Sequence, residues 1–157
     1  MVKVKTIGMI EKNAKNEPTV KAHADLKNGI IFVVSSGVTA YPSEGTPENH
    51  QTKDLYIALN SGSGDERYTD FTIKKDDFVN GFLLRAWENQ EIIFDESHIE
   101  YGQNQSYSSL DIGTKLVSTS SGKFKIESSV TNYGIYFEIT EKMQFNGNAV
   151  SAKIVMN

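Results

Sequence analysis

Apolar and polar positions along this chain of 157 residues alternate mostly with period two, in short runs separated by turn residues. Residues 2–7 oppose Val2, Val4 and Thr6 to Lys3, Lys5 and Ile7, the spacing of a strand with one polar face. Residues 19–24 form a weaker extended stretch. Asn28-Gly29 marks a turn, and Ile30-Ile31-Phe32-Val33-Val34 after it is apolar throughout, which predicts a strand buried on both faces. Further strands are expected at residues 55–59, 68–74, 91–94, 123–127, 134–140 and 150–156. Asn146-Gly147, between the last two, reads as a hairpin turn because both residues tolerate the positive φ that a tight turn demands.

One segment reads both ways. Within residues 76–90, Phe78, Phe82 and Ala86, and Val79, Leu83 and Trp87, recur at the i, i+4 spacing of a helix, with Asp76 or Asp77 available as a cap. Asn80-Gly81 falls in the middle of that pattern and weakens a helix by about 1 kcal/mol. The balance favours a strand. Residues 35–52 and 103–109 are polar and turn-rich, and read as surface loops.

Composition agrees with the pattern. The chain holds 14 Ile, 11 Val and 11 Thr beside 16 aromatic residues, side chains that suit a pleated, half-buried surface. The expected fold is therefore all-β: a compact barrel or sandwich-like domain over residues 28–157, with residues 1–27 as an extended N-terminal arm or a pair of edge strands, and at most short helices. The length allows one core without disulfides or metal. There is no cysteine, which excludes thiol nucleophiles and cysteine-held metal sites. The longest apolar run, five residues, is far short of a membrane span. With no apolar leader pattern, the chain is expected to begin near Met1 and to be made in a cytoplasm.

Candidate chemistry is sparse. His23, His50 and His98 are the only histidines, no G-x-S-x-G elbow accompanies them, and all three read as surface residues. Asp65, Glu66 and Asp70 cluster, as do Asp95, Glu96 and Glu100, but neither set has the alternation of a calcium loop; acidic residues beside strands keep edges solvated. Ser61-Gly62-Ser63-Gly64 lacks the Lys-Ser/Thr of a phosphate loop and runs into Asp65 and Glu66. Tyr133, Tyr136 and Phe137 are suited to stacking bases, yet Glu138, Glu141 and a formal charge of −4 remove the positive field that nucleic acid requires. Trp87 lies among apolar residues and is expected in the core. No catalytic residue, cofactor or metal ligand is assigned.

The chain resembles the capsid decoration (cement) proteins of tailed bacteriophages. The resemblance is carried by residues 4–12 (VKTIGMIEK) leading to residues 22–29 (AHADLKNG), by residues 68–74 (YTDFTIK) with residues 78–84 (FVNGFLL) and 87–92 (WENQEI), and by residues 110–116 (LDIGTKL) with Ser121-Gly122-Lys123. It implies a barrel-like β core, a strand rather than a helix after Phe78, no catalysis, and a virion protein made in the bacterial host and bound to the capsid exterior. The implied partner is the major capsid protein of a tailed phage, with self-association on the capsid left open and neither nucleic acid nor membrane as partner. The alternatives are another phage structural subunit, of tail tube or baseplate, and a carbohydrate- or small-ligand-binding β-sandwich.

Charge points to one end of the chain as the docking segment. Residues 1–27 carry six lysines against Glu11, Glu17 and Asp25, a net +3, so the remaining 130 residues carry −7 of the total −4. Such asymmetry marks an interaction segment, and Lys3, Lys5, Lys12 and Lys15 are its candidate partner-binding residues. The competing reading makes residues 2–7 an edge strand whose lysines guard against strand addition.

Overall fold

The computed structural model describes residues 2–4, 16–42, 54–59, 72–144 and 147–157. Among them the regular structure is strands, with three 3₁₀ turns of three or four residues. The protein is all-β, as the periodicity predicts.

Five strands close a small barrel. Strand β2 (Asn16–Lys21) pairs antiparallel with β8 (Phe78–Leu83), which pairs with β6 (Tyr56–Ala58), then β4 (Ile31–Ser35), then β5 (Val38–Ala40). A parallel contact of β5 with β2, Val38 opposite Lys21, completes the circle. A two-stranded ribbon, β3 (Leu26–Lys27) with β7 (Thr72–Ile73), contributes Leu26 and Ile73 to the barrel's core.

Seven strands form a second sheet, in the order β1 (Val2–Val4), β9 (Glu91–Asp95), β14 (Asn148–Met156), β13 (Ile135–Gln144), β11 (Lys115–Ser118), β12 (Phe124–Ile126) and β10 (Ile99–Glu100). Its longest pairing, β13 with β14, runs from Ile135 opposite Met156 to Gln144 opposite Asn148 with a bulge at Thr140, and so converges on the turn expected at Asn146-Gly147. Asn146 itself lies outside the described residues.

Two hydrophobic cores explain why the run after Gly29 is apolar at every position. Phe32, Tyr56, Ala58, Val79 and Leu83 fill the barrel, while Ile31, Val33, Leu55 and Ile57 face outward against Phe94, Phe124, Phe137 and Ile154 of the large sheet. Strands β4 and β6 form a wall shared by both cores. Their register keeps the sets apart: Ile31 opposes Ile57 on one face, and Phe32 opposes Tyr56 on the other, with ring centroids 5.7 Å apart.

The segment of mixed periodicity resolves into two elements. Phe78–Leu83 is strand β8, and Leu84–Trp87 is a 3₁₀ turn that carries the chain from the barrel to the large sheet. Gly81 stands in the strand because of space, for a Cβ there would lie 2.5 Å from Phe32 Cζ. Trp87 is buried at 2% exposure, its ring 5.4 Å from that of Phe82.

The reading of residues 35–52 as an irregular loop is corrected at its start. Ser36 and Gly37 both adopt positive φ, 52° and 77°, the backbone of a two-residue hairpin turn, and they lead directly into β5. Strands β3, β10 and β11 were not expected from periodicity: two are only two residues long, and Leu116, Val117 and Ser118 in the third are all buried. Residues 43–53 and 60–71, with Asp65, Glu66, Asp70 and the Ser61–Gly64 turn, lie outside the described residues.

Candidate partner-binding surface

The lysines singled out in the first 27 residues fall differently. Lys3 sits in β1 opposite Ile93, at the edge of the large sheet; Lys5, Lys12 and Lys15 lie outside the described residues. The lysine that the fold places most tellingly is Lys21, at the end of β2. It is exposed, and its register neighbours on either side are Val38 of β5 and Phe78 of β8. These are two of the three large hydrophobic residues exposed among those described, at 38% and 59%; the third is Ile112. The Lys21 ammonium lies 5.9 Å from the centroid of the Phe78 ring, within reach of its negative face. Three adjacent strands thus present an apolar, a cationic and an apolar side chain in one row at the mouth of the barrel.

Charges beside this row are partly matched internally. Lys74 Nζ donates to Asp25 Oδ2 at 2.9 Å and the Lys75 backbone N–H to Asp25 Oδ1 at 3.0 Å. The hydrogen bond from Lys74, then that from Lys75, lowers the Asp25 pKa, and Asp25 raises that of Lys74. Lys27 Nζ donates to Thr72 Oγ1.

The histidines depart from the expectation of surface residues. His23 is half-buried, its Nδ1 2.7 Å from Thr39 Oγ1 and its ring edge-on to Tyr41 at 4.5 Å, and burial lowers its pKa. His98 is buried at 9% exposure. Its Nε2 lies 3.0 Å from the Asn28 carbonyl oxygen, while Nδ1 faces Asp95 Oδ1 at 3.1 Å and Ser97 Oγ at 3.3 Å. A Ser-His-Asp nucleophile needs serine and carboxylate on opposite ring nitrogens. Here both share Nδ1, so the three residues do not form a triad. His50 lies outside the described residues.

The second acidic cluster is dispersed by the fold. Asp95 accepts from the Ser97 backbone N–H, Glu96 from Asn148 Nδ2, and Glu100 from Ser121 Oγ. Among the described residues no three His, Asp or Glu side chains are grouped to hold a metal ion. The three aromatics considered for base stacking do not share one face: Phe137 is in the main core, while Tyr136 on β13 and Tyr133 before it pack with Val117 and Val130 in a separate cluster.

No protein-family model, curated protein or solved structure matches this chain.

Proposed function

We propose that this chain is a virion structural protein that binds the exterior of a tailed-phage capsid and stabilises it, without catalysing a reaction. The observation that carries the reading is the row Val38, Lys21 and Phe78 on adjacent strands at the barrel mouth, in which Lys21 belongs to the segment of residues 1–27 that is +3 in an otherwise acidic chain. An aromatic and a cation held side by side suit a protein partner, since aromatic residues anchor interfaces while lysine matches acidic groups at the rim. The reading requires an acidic capsomer surface to supply that match. A rigid barrel presents the row without an ordering cost, and repetition of the site over a shell would raise occupancy through local concentration.

The test is co-sedimentation of the purified protein with empty capsids of the phage whose genome encodes it. Binding that weakens as salt rises, and that Lys21→Glu and Phe78→Ser each reduce while the melting temperature holds, is the expected result. Absence of binding to capsids, with the protein recovered instead in rings of its own, would replace the reading with that of a tube subunit.

A further inference from the structure

Ile112, exposed at 72%, is the large hydrophobic residue that the row at the barrel mouth leaves unexplained. It stands in the turn between the 3₁₀ turn Tyr107–Ser109 and β11, two positions after Leu110, which is buried in the main core. A single exposed apolar residue is ordinary by itself. This one is held rigidly. Gly113 takes φ +87°, as the third residue of a type II turn requires, and the Thr114 N–H donates to the Asp111 carbonyl at 3.0 Å. The Asp111 N–H donates in turn to Thr114 Oγ1 at 2.9 Å. Two further bonds fasten the turn to β13: the Gly113 N–H donates to the Ile139 carbonyl at 2.8 Å, and the Ile139 N–H to the Thr114 carbonyl at 3.0 Å.

Charge gives this turn a counterpart. The Asp111 carboxylate is exposed beside Ile112, and among the described residues no hydrogen bond or ion pair engages it. At the barrel mouth the signs are reversed: Lys21 is exposed, meets the Phe78 ring, and has no carboxylate partner among the described residues. One patch is an apolar knob with an adjoining anion; the other is a cation between two apolar side chains. The knob belongs to the large sheet and the row to the barrel, so one copy presents both. We propose that the Ile112 turn of one copy docks on the row of a second copy of this chain, Ile112 between Val38 and Phe78 and the Asp111 carboxylate against the Lys21 ammonium. Both patches sit on hydrogen-bonded backbone, so docking carries little ordering cost. A contact between unlike patches runs head to tail and leaves a free knob and a free row at its ends, from which it extends. It covers few side chains and is therefore weak and reversible. A capsomer would compete for the same row, but the contact belongs to the free protein and needs no capsid.

Sedimentation equilibrium of the purified full chain, without capsids, tests the contact. The expected result is a mass that rises with protein concentration between about 10 μM and 1 mM, and rises less at high salt. Ile112→Ser, Asp111→Lys and Lys21→Glu should each weaken association about tenfold or more, while Asp111→Lys combined with Lys21→Glu should restore it. All three positions are exposed, so melting temperatures should hold. A mixture separates this contact from a symmetric one. Ile112→Ser keeps its row and Lys21→Glu keeps its knob, so the two variants should pair one to one at a concentration where each alone is monomeric. A native chain that stays monomeric throughout that range, variants that associate as the native chain does, a charge exchange that restores nothing, or a mixture without such pairs would each overturn the proposal. With no capsid present, none of these outcomes decides the capsid reading, and failure to co-sediment with capsids would leave this contact standing.

Discussion

Phe32 occupies the space that a side chain at residue 81 would need: a Cβ on Gly81 would stand 2.5 Å from its Cζ and 3.4 Å from Cε1 and Cε2. The two residues lie on different strands of a five-stranded barrel whose interior is too narrow for a full set of large side chains. Ala22 and Ala58 are the other small residues of that core. The barrel thus accommodates the Phe32 ring because the inward position at residue 81 carries no side chain.

Gly81→Ala is therefore expected to destabilise the protein by about 1–3 kcal/mol through overpacking. Phe32→Leu in the same chain should return part of that loss, a coupling measurable in a double-mutant cycle by urea unfolding. Additive effects of the two substitutions would show that the ring and the added methyl do not meet.

Gly122 offers a contrast. It adopts φ +75°, and a Cβ there would lie 2.5 Å from both Ile30 Cγ2 and the Ile31 backbone oxygen. Since a backbone atom cannot rotate away, Gly122→Ala should cost more than Gly81→Ala and should not be rescued by Ile30→Val. Equal midpoints of denaturation for the two alanine variants would contradict this.

Trp87→Ala should destabilise by about 3–5 kcal/mol. Its indole N–H is buried without a hydrogen-bond partner among the described residues, so Trp87→Phe should cost markedly less. The emission of the native protein should be that of a buried indole; emission typical of water-exposed tryptophan would contradict the placement.

Stability should fall in mild acid. The folded-state pKa of His98 lies below its ordinary value of 6.5, at about 4, so the unfolded chain binds the proton more readily. Stability is complete above pH ~6.5 and declines as pH falls toward ~4, by a total of about 3 kcal/mol when the Asp95 charge does not compensate. Thermal melts over that range should show the decline in the native protein and a smaller one in His98→Gln.

Removing residues 1–15 takes away β1 and leaves β2 whole, and the truncated protein should remain folded with weakened capsid binding. Removing residues 1–21 deletes β2, the strand that joins β5 to β8, and should open the barrel. Circular dichroism and near-UV spectra distinguish the two outcomes.

The fold class was legible in the chain by itself. Period-two runs at residues 91–94, 134–140 and 150–156 coincide with β9, β13 and β14, because strands with one face in the core must alternate. Continuous apolarity at residues 30–34 marked a wall buried on both sides, and Asn28-Gly29 marked the turn before it, whereas the hairpin turn at Ser36-Gly37 was hidden in a polar stretch that read as a loop. Short pairings such as β3 with β7 left no periodic trace, since two residues cannot display a period. Gly81 read locally as a break in a helix, whereas its cause is Phe32, nearly fifty positions away in the chain. His98 likewise looked like a surface residue beside acidic neighbours, until the turn containing Asn28 covered it. The row of Val38, Lys21 and Phe78 exists only through register across three strands. Local sequence determines which residues alternate and where the chain turns; which distant side chains share a cavity, a buried proton site or an exposed row is decided by how the strands pair, because pairing is set by the summed packing of both cores rather than by any one segment.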